Sequence, residues 1–376
     1  MANEEIIIVG AGISGLTLGT ALAQSGWKVQ ILERSSELRE IGAGLYTWEN
    51  GLKVLESIGV YNSACKDVEF ITSLDMIDEK QKLMHSNKFS EESRFCVIPR
   101  QDIHYALTQA AINSGAKIET NAHVVEANSS GSITLEDGKT YVADLVIAAD
   151  GINSKVRNSL PITQKIEEVK NGAIRALIPK NAGEGDRAME HWSGYRRIGI
   201  APSTDQFRYI FLTTPSFDTE GLSNPFNKDP WLHSFPHLES VINRIDNSRL
   251  DSTFPYVYLD SWSANRVAIL GDAAHAMEPN LGQGAGVSLS SALELANQLN
   301  TNNIDDALKN WEEKIKPIAD KTQMMSRIYG AAASHWPKEL YHVRSEVIGK
   351  AFSSENVDLM MSLASRYVVD DSQMIK

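Results

Sequence analysis

Cysteine is nearly missing from this chain: Cys65 and Cys96 are the two among 376 residues. Two thiols cannot build the disulfide framework of a small secreted scaffold, so a reducing compartment is expected, with both read as buried structural thiols. No apolar run approaches the roughly 18 residues that a membrane-crossing helix needs. The first five residues carry no basic cluster, so the sequence leads us to expect no secretory leader, no membrane partner and a cytoplasmic location. Positive charge is in deficit. With 36 Lys and Arg against 48 Asp and Glu, the formal net charge of −12 argues against nucleic acid and anionic surfaces as partners. Familiar catalytic patterns are missing too. Ser14 sits among glycines without a G-x-S-x-G elbow. The nine histidines show no metal spacing, and His233 and His237, four apart, fall in a proline-rich segment.

What is present is an ordinary globular composition, 42% hydrophobic and 22% charged, with length enough for two or three domains' worth of core. The run Glu5-Ile-Ile-Ile-Val9 reads as a buried strand leading straight into Gly10. Helical periodicity follows through Ile13, Leu16, Ala21 and Leu22 to a stop at Gly26, and Trp27 to Glu33 alternates like a second strand. In such a strand–turn–helix unit, Gly10 permits the tight turn and Gly12 lets backbone approach a pyrophosphate. Gly15 lets the helix pack closely on the strand. Glu33 closes the second strand where an acid hydrogen-bonds an unphosphorylated ribose, so FAD or NAD is expected here rather than NADP. Arg34 follows it directly.

Two further stretches share the character of the first. An apolar run, Leu145 to Ala149, ends in Asp150-Gly151 and a segment carrying Ser154, Lys155 and Arg157. Late in the chain comes Leu270-Gly271-Asp272-Ala-Ala-His275, and shortly after it Pro279-Asn-Leu-Gly282-Gln283-Gly284-Ala285-Gly286 opening a helix. In this order and spacing the three motifs resemble those of the class A flavoprotein monooxygenases, a family that includes many aromatic hydroxylases.

The resemblance implies an α/β fold: a Rossmann-like FAD-binding domain of the GR2 type interleaved with a substrate domain on a mixed β-sheet, plus C-terminal helices. We place the FAD-binding domain at 1–171 and 260–330, with strands of 68–98 inserted in it. The substrate sheet is placed at 172–259 and a helical segment at 331–376. The family's site residues carry over as follows. Gly10, Gly12, Gly15, Glu33 and Arg34 would hold the ADP part of FAD, with Arg39 near the adenosine and Arg100, at a helix start, against the phosphates. Asp150 and Gly151 would serve the pyrophosphate and the NAD(P)H route, with Arg157 acting on NAD(P)H use. Asp272 would bind the ribityl chain. Gly282, Gln283, Gly284 and Ala285 would face the flavin ring, and Pro279 would stand where oxygen reacts. A solvated surface arginine is the competing reading of Arg39, and His275 is read as structural.

More narrowly, Ser35 to Trp48 and Asn50 to Leu55 resemble a branch of that family that oxygenates a hydroxypyridine carboxylate. That branch holds its substrate with an arginine and a tyrosine twelve residues apart on neighbouring strands, and Arg197 and Tyr209 match them. They share a sheet face only if the connecting loop has an odd residue count; a solvated strand arginine is the other reading of Arg197. Tyr46 and Trp48 would wall the pocket. The activity implied is FAD-dependent hydroxylation or ring opening, with NAD(P)H and O2, of a small hydroxylated aromatic or pyridine-type acid by a monomer or homodimer. The cofactor carries the oxygen chemistry, so the protein needs an anion clamp and aromatic walls rather than a nucleophile. An FAD oxidoreductase without oxygen insertion and a non-catalytic flavin-bound ligand sensor are the alternatives.

Overall fold

The structure, a computed structural model, describes residues 4–38, 42–246, 248–251 and 253–370. Arg39 therefore lies outside the described residues. Ile6, Ile7, Ile8 and Val9 are all buried because their strand, Glu5–Val9, is paired in parallel on both sides and covered on both faces. It lies in a six-stranded sheet whose order is Ser263–Ala264, Val267–Ile269, Leu145–Ala148, Glu5–Val9, Lys28–Leu32, Lys117–Glu119. All neighbours are parallel except the first pair.

The register of this sheet brings the motifs together. Val9 is opposite Leu32 on one side and Ala148 on the other, and Ala148 is opposite Ile269. The four strands therefore end at one level, and Gly10, Glu33, the 149–151 turn and Gly271 emerge side by side at their carboxyl ends, where open α/β sheets bind ligands. Helices Ile13–Gln24, Arg100–Asn113 and Gly284–Thr301 are packed together beside this sheet, and Ile304–Ser334 packs on the last of them. Trp311 anchors that pair by donating to the Ser291 carbonyl at 3.0 Å. Trp311, Ile315 and Met325 are buried and Ile318 partly so.

The second layer is a seven-stranded sheet ordered Arg249–Asp251, Asn171–Pro179, Phe207–Pro215, Arg196–Pro202, Ala188–Ser193, Ser73–Ile77, Leu83–Lys88. The 68–98 stretch differs here from the sequence-based placement in the FAD-binding domain. Ser73–Ile77 pairs in parallel with Ala188–Ser193, so two of its strands extend this sheet. The third, Phe95–Pro99, pairs instead with Gly44–Trp48. Alternation alone marks a strand but not which sheet edge receives it.

One face of the large sheet, with Ile174, Ile178, Ile198, Ile200, Ile210 and Leu212, is sealed by Trp231, Phe235 and Ile242. Trp231 comes from the short helix Asp229–Ser234, Phe235 follows that helix directly, and Ile242 ends the short helix Glu239–Ile242. The opposite face looks toward the nucleotide-binding body. The C-terminal helix Tyr341–Phe352 lies so close to Leu83–Lys88 that a Cβ on Gly349 would stand 2.7 Å from the Met84 carbonyl oxygen. Among the described residues, no helix is long and apolar enough to cross a membrane.

Candidate active site

Three glycines of the first motif have three different surroundings. Gly10 takes φ +105°, and a Cβ there would meet the Ala149 carbonyl oxygen at 2.4 Å. A Cβ on Gly15 would lie 2.1 Å from the Gly10 carbonyl oxygen, so helix and strand touch through it. Gly12 has no heavy atom within 4 Å of a built Cβ, and it caps the start of Ile13–Gln24. Nothing in the protein requires glycine at 12. An open cradle before the free amides of a twelve-residue helix is what a pyrophosphate requires. Glu33 is already ordered toward that cradle, accepting from Ala11 N at 2.9 Å and Ser35 N at 2.8 Å. The residues thus fit the ADP part of FAD. Arg34 is exposed, and the stem of Arg100, first residue of its helix, packs on Gly42.

At the middle motif Gly151 adopts φ +78°, and Asp150 turns its carboxylate inward to accept from Lys155 N at 2.9 Å. Burial pushes the Asp150 carboxyl upward, and its second oxygen has no partner. Arg157 is the residue that the sequence leads us to expect in NAD(P)H use. It is buried, donating to the Ala273 carbonyl at 2.9 Å, the Ile152 carbonyl at 3.0 Å and Gln164 Oε1 at 2.9 Å. Its guanidinium ties the middle motif to the late one. Arg157→Leu is therefore expected to lower thermal stability and FAD retention together, by removing donors from two buried carbonyls. A variant with normal Tm whose only defect is in NAD(P)H affinity would contradict this assignment.

Asp272, exposed at the start of a one-turn helix, follows Gly271, whose φ is +67° and whose Cα stands against Ser14. His275 is buried against Trp262 with ring centroids 5.1 Å apart, and burial lowers its pKa to about 4, so it stays neutral. Neither of its ring nitrogens has a hydrogen-bond partner among the described residues.

Pro279 opens a single 3-10 turn, exposed, and Gly282 ends it at φ +61° with its Cα against the Tyr46 ring. Gly284 begins an eighteen-residue helix and has open space beside it, with Met277 Cγ at 3.8 Å the nearest atom to a built Cβ. The free amides at this helix start, Gly284 and Ala285 among them, suit the electron-rich edge of a flavin ring. The Gln283 side-chain amide donates to the Met361 carbonyl at 2.7 Å and so holds the C-terminal helix that ends there. Trp48 Nε1 donates to the Gly282 carbonyl at 3.0 Å. Tyr46 stacks on Phe95 at 5.1 Å and meets Tyr209 edge-on at 5.4 Å. Burial, with Tyr209 and Glu190 nearby, raises the Tyr46 phenol well above its usual value.

Arg197 and Tyr209 do share a face. Arg197 is opposite Thr213 and Ala201 is opposite Tyr209, so the two lie at even separation on the side toward the nucleotide-binding body. They are not, however, a simple open clamp. Arg197 donates from Nη1 to Glu190 Oε1 at 3.1 Å and from Nη2 to Asn280 Oδ1 at 2.6 Å. Tyr329 donates to Glu190 Oε2 at 3.0 Å. Glu278, on the other side of Pro279, accepts from Asn171 at 2.7 Å, and Asn280 donates to the Ser326 carbonyl at 3.0 Å. Both neighbours of the Pro279 turn are thus gripped by buried polar groups. Sequence reasoning missed Glu190, Asn280, Thr213 and Tyr329. The available signal was a carboxylate between Met189 and His191-Trp192 in the largely buried strand Ala188–Ser193, where a buried carboxylate has to find a cation.

With the site assembled, comparison gives its family. A family model described as FAD binding domain matches residues 3–325, and the chain belongs to that family of class A flavin monooxygenases. It is an FAD-dependent monooxygenase of the aromatic hydroxylase class. It is 36% identical over 337 residues to "Probable 2-heptyl-3-hydroxy-4(1H)-quinolone synthase AqdB2" of Rhodococcus erythropolis, covering 87% of this chain and 88% of that one. It is 32% identical over 336 residues to the 2-heptyl-3-hydroxy-4(1H)-quinolone synthase of Mycobacteroides abscessus, with 87% and 90% covered. The tetrameric form of 2-methyl-3-hydroxypyridine-5-carboxylic acid oxygenase superposes with a TM-score of 0.85 at 32% identity, over 99% of this chain and 98% of that one.

Proposed function

We propose that this enzyme uses NAD(P)H and O2 to hydroxylate an electron-rich N-heteroaromatic ring bearing a ring oxygen. In balance, ring C–H, O2, NAD(P)H and a proton give ring C–OH, water and NAD(P)+. The observation that carries this reading is the juxtaposition of the Pro279–Gly282 turn with the Tyr46, Tyr209 and Arg197 face of the substrate sheet. A flat ring held there lies between aromatic walls and the start of the Gly284–Thr301 helix. When bound, FAD supplies the electron transfer and oxygen activation. The chain's own part is to hold the cofactor through Gly10, Gly12, Glu33, Arg100 and Asp272, and to keep the ring dry against the wall that Tyr46 and Tyr209 form together. The Pro279 turn is fixed by Asn280 and Glu278. The quinolone-modifying and pyridine-modifying relatives named above support a nitrogen heterocycle.

The test is substrate-stimulated NADH and NADPH oxidation by FAD-loaded protein, with 2-heptyl-4(1H)-quinolone and 2-methyl-3-hydroxypyridine-5-carboxylate as probes and product mass as the second readout. One oxygen added to one of these rings, or a ring-opened product, is the expected result. Oxidation that no ring stimulates, with no oxygenated product, would favour a ligand-sensing or oxygen-independent flavoprotein.

A further inference from the structure

A guanidinium facing a substrate pocket ordinarily reads as a carboxylate receptor, and the sequence alone supports that reading of Arg197. The structure places a resident carboxylate there first. Arg197 is 2% exposed and Glu190 6%, on neighbouring strands of one sheet face. Glu190 is a fully engaged partner: Oε1 accepts from Arg197 and, at 2.8 Å, from Trp192 Nε1, while Oε2 accepts from the Tyr329 hydroxyl at 3.0 Å. With Nη2 bonded to Asn280 Oδ1, the Arg197 fork is occupied at both tips. Two donor-capable groups remain without partners: Arg197 Nε, and the hydroxyl of Thr213, the residue directly opposite Arg197 on the next strand. Arg175, on the same face, is directed toward the Phe254 ring instead.

A substrate carboxylate entering here would have to displace Glu190, leaving it buried without its cation, or stand beside it as a second anion sharing one cation. Both are strongly unfavourable in a desolvated site. A neutral ring oxygen has no such conflict, since an oxo or hydroxyl group can accept from Nε–H and Thr213 while the ion pair stays closed. We propose that Glu190 sets the substrate class: by neutralising Arg197 it selects an uncharged ring bearing an oxo or hydroxyl oxygen over the corresponding ring carboxylate, with Thr213 as a second anchor for that oxygen. This rests on the reading above that the ring binds on this face.

The experiment compares two probes with one ring system, 4(1H)-quinolone and 4-hydroxyquinoline-2-carboxylate, by their perturbation of the bound-flavin absorbance. It needs no turnover, so it is separable from the hydroxylation test. Wild-type holoenzyme is expected to bind the neutral ring at least about tenfold tighter than the acid. Glu190→Gln, which keeps shape and removes charge, is expected to strengthen acid binding at least about tenfold with little change for the neutral ring. Thr213→Val should weaken the neutral ring, and combined with Glu190→Gln it should leave the strengthening of acid binding by Glu190→Gln in place. Glu190→Met serves as a second uncharged variant should Gln at 190 fail to retain FAD. Tighter binding of the acid by wild type, an unchanged preference in both Glu190 variants, or no binding of the neutral ring would each overturn the proposal.

Discussion

Gly12→Leu is expected to yield a folded protein that no longer retains FAD. Three glycines that a sequence motif treats alike differ in what surrounds them. A side chain at 12 meets no protein atom within 4 Å, so the fold has no objection to it. It would instead fill the space before the first amides of Ile13–Gln24, where the pyrophosphate has to approach backbone. We expect FAD affinity to fall by at least about a hundredfold, roughly 2.7 kcal/mol, with Tm of the apoprotein unchanged. Gly15→Val is the contrasting variant. Its Cβ would stand 2.1 Å from the Gly10 carbonyl oxygen, so it is expected to destabilise the fold by about 1–3 kcal/mol or more whether or not FAD is present. Flavin content, FAD titration and apoprotein melting separate the two. If Gly12→Leu binds FAD normally, the motif is packing and not a phosphate cradle.

The second large effect concerns Arg197. In Arg197→Ala, Glu190 would remain buried with no cation, and Asn280 would lose its bond to the substrate sheet. Breaking one side of a buried ion pair costs about 3–5 kcal/mol. The variant should therefore lose folding stability as well as ring affinity, and a fall in affinity alone would be misread as loss of a substrate contact. Adding Glu190→Gln removes the stranded charge, and the double variant is expected to recover roughly half or more of the stability while ring binding stays impaired. Urea unfolding of both variants, beside flavin-difference titration with 4(1H)-quinolone, reads the two effects apart. Equal stability of wild type and Arg197→Ala would show that Glu190 is not held by the pair.

The sequence by itself determined the nucleotide-binding end of this protein. There the physics is local: a β-branched run, a glycine turn, a helix start and an acid at the end of the next strand occupy about thirty consecutive positions, and each constrains its neighbours. The order of the Gly10, Asp150 and Asp272 motifs was enough to suggest the family, and the sheet register that aligns Val9, Ala148 and Ile269 shows why these distant stretches belong to one site. The face shared by Arg197 and Tyr209 needed a register, because a one-residue slip would have put them on opposite sides.

Tertiary structure alone decided what those side chains have left to offer. Arg157 reads as a residue acting on NAD(P)H use, yet it is buried and bonded to carbonyls of two motifs. Gln283 reads as a flavin contact, yet its amide holds the C-terminal helices. Arg197 reads as a free fork, yet Glu190, seven positions earlier, and Asn280, eighty-three positions later, occupy its two tips. The physical reason is common to all three. Pattern and propensity act over a few residues, whereas a buried charge or donor is partnered across the whole fold, by whichever strand or helix the packing brings near.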